Sequence, residues 1–219
     1  MRVERLAIWA VALLLAACGG TTNGSAGVPS PQTAENAERA GDDYPEGTAA
    51  ATLAADGRFE TLMGILEERA SDRTRGAFLG GLSDPDWGQT LFAPTDDAFD
   101  AIPENELESI IASEADLHWT LDQHIARGAW PSERLRMAAE SDVPLLTTPG
   151  AGGGWVLRVL TRGGGIQIAV CPSPVSACAD VPPAQLEAAT VVEADIAASN
   201  GSIHAIDGVL LPAVPPRFG

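Results

Sequence analysis

The hydrophobic period of this chain changes near residue 140, and that change limits the folds open to it. Before that point apolar residues recur mostly at helical spacing. Phe59, Leu62, Met63, Leu66 and Ala70 make one stripe, and Leu117, Leu121, His124 and Ile125 make another. Stripes of this kind bury one face of a helix. Beyond that point the apolar residues come in short blocks bounded by glycine and proline. These blocks predict strands over 143–148, 155–161, 166–170, 189–196 and 202–211. Helices that lead and strands that follow predict an α+β domain.

The links between these blocks carry their own signals. Residues 71–88, with Gly80-Gly81 and Asp84-Pro85-Asp86, read as a loop. Thr90-Leu91-Phe92-Ala93-Pro94 reads as a short strand that runs into a helix capped by Thr95. Asp96 and Asp97 there suit the positive end of the helix dipole. A helix is expected over 103–112, with proline at its first turn. Ser113 to Asp116 resembles a capping box and opens the next helix, and a further helix is expected over 132–139.

Residues 1–17 predict export. Arg2 and Arg5 precede an apolar run from Leu6 to Leu15, too short for the roughly 20 residues of a spanning helix. The run ends in Leu15-Ala16-Ala17-Cys18-Gly19, which resembles a bacterial lipobox, so Cys18 is the expected lipidation site. Ala16-Ala17 would also serve an ordinary signal-peptide cleavage site. Residues 18–48 read as a lipidated cysteine followed by a polar tether rich in Gly, Ser, Thr and Pro. About thirty such residues span roughly 30 Å as a flexible coil. Residues 49–219 are expected to form a single domain. The expected location is a bacterial cell envelope, with the outer membrane favoured in a Gram-negative host because Gly19 follows the cysteine.

Charge narrows the partners. The formal net charge is −17, and all thirteen basic residues are arginine. An acidic chain of this kind is repelled by nucleic acid and by anionic lipid headgroups, so membrane attachment is assigned to the lipid alone. Cys171 and Cys178 in an exported chain predict a disulfide, which by loop-closure entropy is worth about 2–3 kcal/mol. A metal site finds little support, since the histidines are only His118, His124 and His204.

No sequence pattern for catalysis stands out. There is no Gly-x-Ser-x-Gly elbow, His-Glu-x-x-His or phosphate-binding loop. Ser202 and His204 would share one strand face, but no orienting third group accompanies them. Asp96, Asp97 and Asp100, with Glu104 and Glu106, could hold calcium only if their oxygens converged, and helix capping already accounts for the first two. Trp119, Trp130 and Trp155 could stack on sugars if exposed, and otherwise belong to the core. No cofactor is expected.

Two segments name a family. Thr90-Leu91-Phe92-Ala93-Pro94-Thr95-Asp96-Asp97-Ala98-Phe99 closely resembles the first signature block of fasciclin domains. Asn200-Gly201-Ser202-Ile203-His204-Ala205-Ile206-Asp207-Gly208-Val209-Leu210-Leu211-Pro212 resembles the second. The resemblance covers roughly residues 49–212. It implies a β-sandwich or wedge with a cluster of packed helices. It also implies a non-catalytic role in adhesion or surface recognition of a protein or polysaccharide partner. Some members are associated with apolar pigments, so carriage of an apolar small molecule is the alternative.

The resemblance also marks candidate contact residues. Asp195-Ile196 stands where animal members carry an Asp-Ile pair linked to integrin binding. Gln123-His124 stands where the family carries Tyr-His, with glutamine replacing the tyrosine. A Cys171–Cys178 loop would present a recognition surface or simply resist proteolysis. The expected partner is an envelope or extracellular protein or polysaccharide.

Overall fold

The computed structural model describes residues 44–147, 156–171 and 181–211. The expected signal segment, Cys18, most of the tether, Trp155 and Cys178 lie outside the described residues. Helix α1 (Ala49–Ala55) starts at Thr48, whose hydroxyl accepts from Ala51 N. Helix α2 (Glu60–Gly64) runs into a π-helical turn, Ile65–Arg69. Together they bury the stripe expected over 59–70, with Phe59, Leu62 and Leu66 almost fully enclosed.

The expected loop over 71–88 is corrected. Helix α3 (Asp72–Ser83) occupies most of it, capped by the Ser71 hydroxyl and burying Thr74, Phe78 and Leu82. Those three lie four apart, so a helical stripe was present beneath the glycines. Gly81 has a packing reason, because a Cβ there would press on the Trp87 indole at 3.4 Å. The rim of α3 is tied to α6 (Glu114–Gln123) by Glu114, which accepts from the Ser71 and Thr74 hydroxyls.

Strand β1 (Gln89–Pro94) leads to the short helix α4 (Asp96–Asp100), capped by Thr95, and then to α5 (Glu104–Ala112) and α6. Strand β2 (Ile125–Ala126) and helix α7 (Ser132–Ser141) follow. Strands β3 (Leu145–Leu146), β4 (Val156–Arg162), β5 (Gly165–Val170), β6 (Ala188–Ala198) and β7 (Gly201–Ile206) complete one seven-stranded sheet of order β2-β1-β7-β6-β5-β4-β3. A bridge between Ala126 and Thr147 brings its two edges together, so the sheet is a nearly closed wedge. The strand expected over 143–148 shrinks to two residues. Left-handed Asp142, at φ 52°, ends α7, and Pro144 brings no N–H to a ladder. The strand expected over 202–211 stops at Ile206, where Asp207 turns back and accepts from Thr190 N at 2.5 Å.

The two signature blocks lie side by side. β1 pairs in parallel with β7 along its full length, with Leu91 opposite Ile203 and Phe92 opposite His204. This pair is buried on both faces, which explains its apolar, non-alternating sequence. Leu91, Ala93, Ile203 and Ala205 face the helical core of α1 to α3 and α6. Phe92 and Ile206 face the interior of the wedge with Leu157, Ile168 and Leu135.

Asn200, at the tip between β6 and β7, locks the helices to this sheet. Its Oδ1 accepts from Ala49 N, and its Nδ2 donates to Leu82 O and Asp84 O, each at 2.8 Å. Its own carbonyl accepts from Gly88 N. Gly201 follows because a Cβ there would lie 2.6 Å from the Gln89 carbonyl and the Trp87 ring. An Asn200→Ala variant strands two buried backbone groups, Ala49 N and Leu82 O, each costing about 1–3 kcal/mol, and a part-buried third, Asp84 O. The expected loss in urea denaturation is therefore about 3 kcal/mol or more, with Gly201→Ala also destabilising. A loss below about 1 kcal/mol in both would show that this junction does not hold the fold.

Candidate functional site

The outer surface is most irregular along β6. Its register against β7 shifts twice between Val191 and Ile196. Asp195 sits at the second shift with φ 59°, the left-handed region that a non-glycine residue seldom occupies. The kink turns the Asp195 side chain outward, while Ile196 packs against the helical core. Asp195 is held from two directions. Its Oδ1 accepts from Ser132 N at 2.8 Å, at the start of α7, and its own N–H donates to His204 Nδ1 at 3.1 Å. Partial burial raises its carboxyl pKa, but the bonds from Ser132 and the nearby positive charge outweigh that and hold it below the usual value.

His204 connects this bulge to the wedge interior. It is fully buried and stacks on Phe92 at 5.6 Å between centroids. Because Nδ1 accepts from Asp195, Nε2 carries the proton and donates to Trp130 O at 2.8 Å. Burial lowers its pKa, so the ring is a neutral structural link. Both ring nitrogens are committed, which leaves His204 no capacity to act as a base for Ser202.

Trp130 is fixed on every side. Its N–H donates to Thr90 Oγ1 at 2.9 Å, and that hydroxyl donates to Gly128 O at 2.8 Å. Its indole N–H donates to Arg127 O, and the Arg134 guanidinium lies 3.9 Å above its ring. Thr90 and His204 come from different signature blocks, yet both grip the 128–130 loop. The roles of Thr90, Ser132 and Arg134 escaped the sequence reading. The visible signal was a threonine opening the first block, and its reach across to residue 128 is tertiary.

The Gln123-His124 pair does not share this surface. His124 is buried, its Nδ1 donating to Thr120 O at 2.7 Å and its Nε2 accepting from Leu210 N at 2.9 Å. It bolts the end of α6 to the second signature block. Gln123 is fully buried, and neither end of its amide has a protein partner. In this conformation neither residue can touch a partner directly.

Other candidates resolve into structure. His118 meets the Thr74 hydroxyl at 3.1 Å, Asp122 at 3.7 Å and the Phe78 edge, which makes a contact between α3 and α6. Asp96 accepts from Thr61 N at 2.7 Å, joining α4 to α2. Among the described residues no three His, Cys, Asp or Glu side chains converge as a metal site. Trp119 is buried. Cys171 is buried where β5 ends, and its N–H donates to Val156 O. An apolar crevice under α5, lined by Leu62, Phe99, Leu107, Ile111 and Leu121, holds about 20 Å³. That is room for roughly one water, far below an apolar pigment.

Burial pushes the His124 pKa down to about 4, against the opposing effect of the Thr120 carbonyl. The unfolded imidazole takes its proton near 6.5. Between those values the unfolded state binds the extra proton, so stability is complete above pH 6.5 and falls as pH drops toward 4. The loss is on the order of 3 kcal/mol for His124 alone. Urea midpoints measured across this window should fall accordingly, and His124→Gln should flatten the slope; an unchanged slope would contradict the assignment. Gln123→Leu should be neutral or stabilising by about 1 kcal/mol in the same assay, because it removes an unpartnered buried amide. A loss above about 2 kcal/mol would mean the amide is satisfied.

Comparison with known proteins agrees with this geometry. A family model described as Fasciclin domain matches residues 58–212. Protein sll1483 of Synechocystis sp. is 29% identical over 125 residues, covering 56% of this chain and 54% of that protein. Transforming growth factor-beta-induced protein ig-h3 of Oryctolagus cuniculus is 27% identical over 171 residues, covering 77% of this chain and 20% of that protein. The chain thus spans about half the length of the first relative and about a fifth of the second. The solved FAS1 domain pair from the insect cell adhesion molecule Fasciclin I matches in fold with a TM-score of 0.52 at 22% identity. That match covers 76% of this chain and 51% of the other. With signature strands paired at the centre of the wedge and the family model spanning most of the chain, this protein belongs to the fasciclin domain family.

Proposed function

We propose that this chain is a non-catalytic binding module held at a bacterial cell envelope by a lipid on Cys18, recognising a protein or polysaccharide partner. The observation that carries this reading is the Asp195 bulge. A strained, outward-turned residue is anchored on one side by His204 and on the other by the start of α7. Strain of this kind persists only where surrounding structure enforces it, and it clusters at working surfaces. Both buried histidines serve the frame, so the surface around the bulge is built for contact. Ile196, beneath it, packs against the helical core. A disulfide between Cys171 and Cys178 would fasten the end of β5 away from the bulge, and it suits an exported chain.

Two measurements on cells producing the full chain test the parts separately. Radiolabelled palmitate should enter the wild-type chain and be absent from Cys18→Ser, which should leave the membrane fraction; label retained in that variant rejects the anchor. For the surface, Asp195→Ala/Ile196→Ala should reduce cell–cell or matrix adhesion about tenfold or more. The double variant must keep its thermal midpoint within a few degrees for this comparison. Unchanged adhesion in a folded double variant rejects the bulge as the contact surface.

A further inference from the structure

We infer that Arg127, Trp130, Arg134 and Arg136 form a platform that takes the carboxylates of an acidic polysaccharide. This rests on the reading that the Asp195 surface binds a partner, and it names that partner's chemistry. The charge distribution points there first. Arg58, Arg75 and Arg158 each pair with a carboxylate. Arg127, Arg134 and Arg136 are exposed within one short stretch and make no ion pair within 4 Å among the described residues. In a chain of net charge −17 these are exposed guanidinium groups gathered beside the bulge, with Arg136 acting on the Asp195 carboxylate.

The second observation is rigidity. Trp130 is held through its N–H, its carbonyl and its indole N–H, and the Arg134 guanidinium lies 3.9 Å over its ring. Arg134 Nη1 donates to Ala129 O at 2.8 Å, which leaves Nε and Nη2 directed elsewhere. Arg136 Nη1 reaches Ser132 Oγ at 3.4 Å. A guanidinium fixed on an aromatic face loses little entropy when it receives a carboxylate, and its fork matches that group. Of the nearby acids, Asp195 accepts from Ser132 and Glu193 pairs with Arg58, while Glu133 and Glu140 are exposed on α7 itself.

The surroundings favour a glycan over a protein. A stable protein interface hides about 1,200–2,000 Å² around an apolar centre. Here the large exposed hydrophobic residues are few and scattered among the described residues: Met137 follows Arg136 on α7, Val192 lies on β6, Val143 follows α7 and Leu146 lies on β3. A polyuronate needs no apolar centre, because its charge repeats along the chain and weak contacts add through rebinding.

The test uses the purified full chain with immobilised polygalacturonate, dextran and poly-L-glutamate in biolayer interferometry. Binding should be seen to polygalacturonate, weaken with added salt and be absent on dextran. Arg134→Gln/Arg136→Gln should lower affinity about tenfold or more at unchanged thermal midpoint. Arg69→Gln/Arg73→Gln removes the same charge from another exposed site and should bind as wild type. No binding, or equal loss in both pairs, overturns the platform. Poly-L-glutamate held as tightly as polygalacturonate overturns the glycan assignment in favour of an acidic polypeptide. Adhesion that survives Arg134→Gln/Arg136→Gln but fails in Asp195→Ala/Ile196→Ala rejects this platform and leaves the binding-module reading intact.

Discussion

The three bonds of the Asn200 side chain hold together parts of the chain that are far apart in sequence. Ala49 opens the first helix, Leu82 and Asp84 end the third, and Asn200 stands at the tip joining the last two strands. Each of these groups is an orphan at a helix terminus or turn, and those of Ala49 and Leu82 are buried where water does not replace the bond. One amide supplies an acceptor for a helix start and two donors for a helix end, which no carboxylate or hydroxyl can do. Gly201 then lets the strand pass against Trp87 and Gln89. The Asn-Gly pair is thus a junction between helix layer and sheet, set one residue before the parallel pairing begins.

From that junction β7 runs along β1, and the two histidines extend its grip sideways. His124 donates a hydrogen bond to Thr120 O and accepts one from Leu210 N; His204 donates to Trp130 O and accepts from Asp195 N. Each ring works as a neutral two-ended connector, a role that depends on remaining unprotonated. Burial depresses both pKa values and secures that state. The folded interior therefore enforces the local strain at Asp195, because releasing the bulge would also orphan a buried imidazole nitrogen.

Much of this was legible in the sequence. The α+β class followed from the change of period, and Thr95, Ser113 and the apolar stripes over 59–70 marked helices that form. The helix over 72–83 was hidden because Gly76, Gly80 and Gly81 depress helix propensity, while Phe78 and Leu82 recover it only by packing in the core. At the site, Asp195 could be located by resemblance, but its bond to Ser132 could not, since that contact joins residues 63 apart. Gln123 and His124 were candidates through the resemblance, because they stand where the family carries Tyr-His. Their burial reflects the inward face of α6, where polarity serves the connection to Leu210 or, for Gln123, finds no protein partner.

On the proposed reading, the acidity of the body and the arginines of the 127–136 stretch act together. At physiological ionic strength a charge is screened beyond about 8 Å, so distant carboxylates do little to a ligand already seated on the platform. They act on approach, disfavouring polyanions everywhere except where guanidinium groups are exposed. Specificity then comes from geometry close to the loop, and that geometry is fixed by Thr90 and His204. If His204 became protonated, its Nδ1–H would oppose the Asp195 N–H, and the loop and bulge would loosen together. Because burial disfavours that protonation, the surface keeps its shape through neutral pH, and recognition as proposed there would depend on placement of charge more than on movement of the fold.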